Sequence, residues 1–330
     1  MLVHKAYRYE IQPTAGQLDR CRQSVGTARF TYNWALARRI EEYQTTGMSS
    51  NAVVQHRQLN KLKDTEFPWM RSVSKCCAQE ALRDLDRAYE NFFRRLKQGK
   101  KPGFPKFKRK GKNRDSCRFT GSIKVLHRKI QLPRLGKLRT KEKTDKFCGR
   151  ILSATLSREA DRWFVSLAVE VDAPGPGPVA GPVVGVDLGI HHFAVMSDGT
   201  TVSAPKPLVR AQGLLARRQR KHARKQKGSA NRRKSAMGLA RLHRRVRNAR
   251  KDFIHKLTTW LAKTKSVIVV EQLGVSNMIR NRSLARSIAD AGWAEFRRQL
   301  GYKTRWYGSQ LIVAPRFYPS SKTCSNCGCV

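Results

Sequence analysis

The sequence predicts an α/β domain in the C-terminal half, preceded by an α+β region in which a small β domain carries an inserted helical module. Three observations carry this reading. Apolar residues recur every three or four positions over 14–98, the spacing of helices with one buried face. From Pro102 to about residue 171 the texture changes to short alternating bursts bounded by turn residues, as strands require. Beyond a Pro/Gly-rich stretch, a strand pair, basic helices, a strand, a helix and a strand follow one another.

Val3 to Ile11 reads as a strand. Leu18, Cys21, Val25, Tyr32, Leu36 and Ile40 then mark one helix over 14–43, and Val73, Cys77, Ala81, Leu85, Ala88, Phe92 and Leu96 a second, stopped by Gly99 and Pro102. KPGFPKFKRKGKNR is basic and turn-rich; SCRFTGSIKVL, KIQLP and GKLRT alternate. ILSATLSREADRWFVSLAVEV is a β-hairpin with Glu159-Ala-Asp161 near its turn. This β domain comprises 1–13 and 100–172, completed by the N-terminal strand across the inserted module 14–99. DAPGPGPVAGP makes 173–182 a linker. In the domain 183–323, VVGVDLGIHHFAVMSDGTTVS supplies adjacent strands with turns near Gly189 and at Asp198-Gly199. A basic helical segment spans 206–262, its apolar stripe running through Leu239, Leu242, Val246, Phe253, Leu257 and Trp260. SVIVVEQLGV is an apolar strand, and WAEFRRQLGYKTRWYGSQLIVAP a helix followed by a strand.

Lys and Arg total 68 against 23 Asp and Glu, a formal net charge of +45 in 330 residues. Self-repulsion on that scale calls for a neutralising polyanion, and nucleic acid is the expected partner. No apolar run approaches the roughly 18 residues of a membrane span, and MLVHKAYRYE lacks a signal-peptide core, so a cytoplasmic, nucleoid-associated protein is expected. Residues 200–251 contain no acid at all. Their candidates for phosphate contact are Arg217, Arg218, Arg220, Lys221, Arg224, Arg232, Arg233, Arg244, Arg245 and Arg247. Cys21, Cys76, Cys77, Cys117 and Cys148 sit inside patterned segments and read as reduced, mostly buried thiols.

Asp187 lies inside an apolar run of Val183, Val184, Val186 and Leu188, and Glu271 stands at the end of another apolar strand. Carboxylates in such places are costly unless something positive meets them, and in a chain this basic they point to convergence on a divalent metal. Hydrolysis of a phosphodiester needs such ions, and hard oxygen ligands suit Mg²⁺ or Mn²⁺. No Ser-His-Asp or Cys-His constellation competes. His191 and His192 follow closely, but histidines in a turn are more often structural or solvent-facing. Cys324 and Cys327, a CxxC followed by Gly, form the first half of a zinc knuckle, so 324–330 reads as an incomplete zinc ribbon; Cys329 adds a thiolate, but a Cys-x-Cys pair does not easily reproduce the second knuckle.

The GVDLG strand, the VVEQL strand and RFYPSSKTCSNCG resemble the TnpB (OrfB) family of insertion-sequence proteins, related to type V CRISPR effector nucleases. The resemblance extends along essentially the whole chain, including YNWAL at 32–36, GFPKFK at 103–108 and IQLPRLG at 130–136. It implies an RNase H-like (RuvC) fold for the C-terminal half, a wedge-like β domain with a helical recognition module before it, and RNA-guided cleavage of DNA. Asp187 then matches the first catalytic carboxylate, Glu271 the second, and Cys324 and Cys327 the first pair of a zinc ribbon. The basic helices would meet the guide RNA or the heteroduplex through its backbone. The family pattern continues with a second CxxC and a third catalytic Asp, which these 330 residues do not include, so impaired catalysis is the expectation. A non-catalytic nucleic-acid-binding regulator or remnant and a DNA transposase are the alternatives.

Overall fold

The first unit begins with β1 (Leu2–Ile11) and three helices, α1 (Ala15–Thr46), α2 (Ala52–Thr65) and α3 (Lys75–Lys97). Six strands follow: β2 (Ser116–Phe119), β3 (Lys124–Leu126), β4 (Lys129–Leu132), β5 (Gly136–Arg139), β6 (Arg150–Glu159) and β7 (Arg162–Asp172). The structure is a computed structural model and describes residues 1–315. Their contacts divide them into Leu2–Ala173 and the residues from Pro174 onward.

β1 runs antiparallel to β7, from Leu2 opposite Asp172 to Ile11 opposite Trp163, in a sheet of order β1-β7-β6-β2. The N-terminal strand thus joins the hairpin of 150–172 from across the intervening helices. Three-stranded β3-β4-β5 is a separate meander. It is tied to the end of β1 by Gln12 N–H to Arg139 O and Lys141 N–H to Glu10 O, both 2.8 Å. Helix and sheet faces share one core that includes Cys21, Leu36, Leu82, Leu85, Phe119, Leu156, Val165 and Leu167.

Thr14 starts α1 with a capping box closed by Gln17, and Gly47 ends it in a left-handed conformation (φ 69°). Apolar periodicity does not reveal α2. Its inward positions are only Ala52, Gln55 and Leu59, so a glutamine interrupts the apolar stripe. Buried Gln55 is satisfied instead by donating to Ala35 O (2.9 Å) and accepting from Arg39 Nε (3.1 Å). In α3 the stripe holds through Leu85 and then emerges, leaving Phe93 and Leu96 exposed. Four of the five interior cysteines are buried; Cys148 is exposed.

The second unit comprises β8 (Val184–Asp187), β9 (His192–Met196), β10 (Thr201–Ser203), α4 (Pro207–Ala223), α5 (Ala230–Thr264), β11 (Val267–Glu271), short α6 (Val275–Met278) and α7 (Ala285–Ala291), α8 (Trp293–Tyr307) and β12 (Gln310–Ala314). Its sheet has the order β10-β9-β8-β11-β12. The β10-β9 and β9-β8 pairs are antiparallel, while β11 lies parallel to β8 and to β12. Helices α5 and α8 pack on the sheet through Ile254, Leu261, Phe296 and Leu300, and the Phe193 ring sits edge-on to Phe253 (4.9 Å) and Phe296 (5.3 Å). Trp260, placed on the apolar stripe of α5 by its spacing, is 41% exposed because it lies off that helix's sheet-facing side.

Segment 173–182, linker-like in composition, lies against this second unit. Val179 N–H donates to Gly308 O (3.3 Å). Gly308 ends α8 at φ +85°, and a Cβ there would stand 2.0 Å from Gly177 O; at Gly181 it would meet Thr264 O at 2.1 Å. Glycine is required at both close approaches.

Candidate active site and nucleic-acid interface

In β8 and β11, Val184, Val186, Ile268 and Val270 point into the core, so the intervening residues face the other way. Val186 is opposite Val270 in a parallel register. One step further, at the carboxyl ends of both strands, stand Asp187 and Glu271, exposed and on the same face. Adjacent strands lie about 4.8 Å apart, so the two carboxylates are neighbours by backbone geometry. From β8 the chain turns to β9 on one side, whereas β11 neighbours β12 on the other; the strand ends at such a divergence are where open α/β sheets place ligands.

Several acids elsewhere in the chain answer basic residues, among them Asp115 with Arg29 (2.9 Å), Glu10 with Arg162 (2.7 Å) and Asp198 with Lys265 (2.7 Å). The Lys265 ammonium and the Thr200 N–H hold the Asp198 carboxyl down at about 2. Among the described residues, neither Asp187 nor Glu271 has such a side-chain partner. In a chain of this charge, two adjacent unpaired carboxylates are available to a cation that the protein itself does not supply. The described residues contain no cluster of three or more His, Cys, Asp or Glu able to hold a metal. Beside Glu271 opens a cavity of about 300 Å³, walled by Trp293 and Phe296 of α8 and by Leu188, with Arg297 at its edge. The approach of Arg297 could not be read from the sequence, because it depends on how α8 packs across the sheet.

The two later acids are otherwise occupied. The Asp290 carboxylate accepts from Leu208 N–H (2.9 Å) and Val209 N–H (3.2 Å) at the start of α4 and pairs with Arg250 of α5 (3.0 Å). It is a buried helix cap that joins three elements. Glu295 is held by Arg298 (2.7 Å) and Gln299 (2.9 Å), and these donors keep its carboxyl at about 2. His191 and His192 lie in the turn and at the start of β9, both exposed.

The acid-free region folds as a hairpin of α4 and the first half of α5. Its few buried apolar side chains are Leu215, Leu242 and Val246. Arg217, Arg218, Arg220, Lys221, Arg224, Arg233 and Arg245 are exposed on it; Arg232, Arg244 and Arg247 are half-buried. Arg218 and Arg232 also build the hairpin. Arg218 donates to Gly238 O across it (2.8 Å), and Arg232 ties the turn by donating to His222 O (3.1 Å) and Lys225 O (2.7 Å). Cys324 and Cys327 lie outside the described residues. Among the described residues, no helix is long and apolar enough to cross a membrane.

Comparison with known proteins places this geometry in a family. Residues 166–282, which contain both carboxylates, match the OrfB_IS605 family, described as "Probable transposase". Residues 293–330 match the Cas12f1-like TNB domain. Residues 1–48 match a family described as a helix-turn-helix domain, although here they form one strand and one long helix. A Streptomyces pristinaespiralis protein named "Putative RNA-guided DNA endonuclease" is 37% identical over 99% of this chain and 81% of its own length. InsQ of Escherichia coli K12, which carries the same description, is 34% identical over 98% of this chain and 83% of its own. Among solved structures, Cas12f1 in its complex with sgRNA and target DNA superposes with a TM-score of 0.52 at 14% identity, covering 99% of this chain and 92% of that one, a likeness of fold. With identity at this level over nearly its whole length, the chain belongs to the TnpB (OrfB) family.

Proposed function

We propose that this protein is an RNA-guided DNA endonuclease: it holds a guide RNA, engages DNA through it, and hydrolyses a phosphodiester bond at Asp187 and Glu271. The observation that carries the reading is the pair of exposed carboxylates without basic partners, side by side at the ends of β8 and β11 inside the family-matched region. Strand order and direction in the second unit support an RNase H-like (RuvC) domain, and the sheet completed by β1 supports a wedge-like domain carrying the helical recognition module.

The donor set suits a hard divalent cation, Mg²⁺ or Mn²⁺, with Asp187 and Glu271 as its protein ligands. When bound, the cation neutralises phosphate charge and activates water. Asp187 and Glu271 fix its position through two neighbouring core strands, which hold their ends rigidly. Trp293 and Phe296 wall the adjoining cavity with apolar surface, and the Arg297 guanidinium is available to a strand phosphate. The exposed arginines and lysines of the α4–α5 hairpin supply sequence-independent contacts to the RNA or heteroduplex. Cys324 and Cys327 are assigned to a zinc ribbon, and a cytoplasmic, nucleoid-associated location follows from these partners.

The test is cleavage of DNA by the purified chain with its co-transcribed RNA in Mg²⁺. RNA-dependent cleavage is expected to fall about a hundredfold or more in Asp187→Ala and in Glu271→Ala. Tight RNA binding without cleavage by the unaltered chain would identify it as a binding protein instead. The description "Probable transposase" gives a second reading, strand transfer at the same carboxylates, which joined rather than cut DNA products would reveal.

A further inference from the structure

Where the apolar stripe of α3 leaves the core, four aromatic rings gather instead of ending in solvent singly. Tyr89 meets Phe93 (6.4 Å, stacked) and Phe104 (5.7 Å, edge-on), and Phe92 meets Phe93 (5.1 Å) and Phe104 (5.5 Å). Phe93 is 52% exposed, Phe104 46% and nearby Phe107 49%. Residues 91–114 contain no acid, and Arg94, Arg95, Lys97, Lys100, Lys101 and Lys106 are all exposed.

The segment carrying Phe104 and Phe107 is held in place. Asn33 of α1 clasps the Lys108 backbone from both sides, accepting from its N–H (2.8 Å) and donating to its carbonyl (2.9 Å). The Lys108 ammonium sits 3.7 Å above the Tyr32 ring. YNWAL and GFPKFK, far apart in sequence, are therefore one structural unit whose outcome is a fixed aromatic surface in a field of positive charge.

The geometry points to a stacking platform for unpaired nucleotides of the bound RNA, with Phe93, Phe104 and Phe107 taking base faces and the surrounding lysines and arginines taking phosphates. Exposed aromatics interleaved with cations are what single-stranded nucleic acid requires, since every base has a π-face and every linkage a charge. A partner protein with an apolar surface would meet the same rings, but not at the centre of so dense a positive field. This site is distinct from the α4–α5 hairpin, which presents charge with no comparable ring cluster among its residues. The inference rests on the reading that the protein carries RNA.

The experiment is binding of a fluorescent oligouridine to the full chain, with oligothymidine and duplex RNA as comparison arms, followed by near-ultraviolet crosslinking of a 5-iodouridine oligomer. Crosslinks are expected at Phe93, Phe104 or Phe107 of the unaltered protein. Joint replacement of the three by Ala is expected to weaken oligouridine binding about tenfold or more while leaving the salt slope unchanged, and Phe104→Trp to preserve binding. Replacing hairpin arginines should reduce the slope instead. Wild-type affinity in the triple variant with crosslinks elsewhere would overturn the platform alone, as would rings that bind oligothymidine but not oligouridine. Loss of self-association in the triple variant with RNA affinity intact would show the surface to be a contact between copies. Failure of the unaltered chain to bind any RNA would overturn both this site and the functional reading.

Discussion

Lys303 shows how a single side chain can be costly and still be kept. It is 4% exposed on α8 and donates to His255 O, Thr258 Oγ1 and Thr259 Oγ1 of α5, each at 2.7 Å. Burial lowers its ammonium from 10.5 to about 8, only partly countered by Glu295. Because the folded value lies below the unfolded one, the unfolded chain binds more protons between them, and stability from this group rises as pH increases from about 8 to 10.5. Denaturant midpoints measured across that window are expected to climb in the wild type relative to Lys303→Met, in which this contribution is absent. A parallel course for the two proteins would contradict the assignment. Asp290 is the opposite case, a buried carboxylate whose two amide donors and arginine make its charge acceptable.

For its length the α4–α5 hairpin buries few apolar side chains, Leu215, Leu242 and Val246, and it carries dense positive charge. Arg218 and Arg232 serve its internal geometry, so substituting them should loosen the hairpin as well as weaken binding. Arg217, Arg220, Lys221, Arg233 and Arg245 are exposed and should act through phosphates. Replacing these five with Gln is expected to weaken RNA and DNA binding uniformly across sequences, and to lower the slope of log K against log salt by about 0.7–0.9 for each phosphate no longer neutralised. An unchanged slope in a titration between low and moderate salt would mean that these charges are merely solvated. Helix α2 illustrates what periodicity misses: buried Gln55 breaks the stripe in sequence, yet its two hydrogen bonds make it a sound core residue.

For the molecule as a whole, a net charge of +45 is the dominant electrostatic fact. Such self-repulsion opposes compaction until a polyanion relieves it. Bound RNA at about 100 times its Kd should contribute about 2.7 kcal/mol and raise the Tm by about 5 °C or more. Sodium chloride at equal ionic strength should raise it less, because screening lacks the specific contacts. Equal shifts in thermal scans with RNA and with salt would remove nucleic acid as the built-in counter-charge.

The chain's sequence by itself determined its family, its strongly positive charge, the α/β order of its second half and the two strand-end acids, because each is written in local pattern or composition. Only tertiary structure decided what those residues do to one another. The parallel register of β8 and β11 brings Asp187 beside Glu271, and the packing of α8 opens a cavity with Arg297 at its edge. Asp290 becomes a helix cap only where α4, α5 and α7 meet, and YNWAL clasps GFPKFK only when α1 lies against that loop. The reason is physical: periodicity reports which face a residue turns toward the core, whereas a site is made by faces of different elements meeting, and that depends on contacts between residues far apart in the chain.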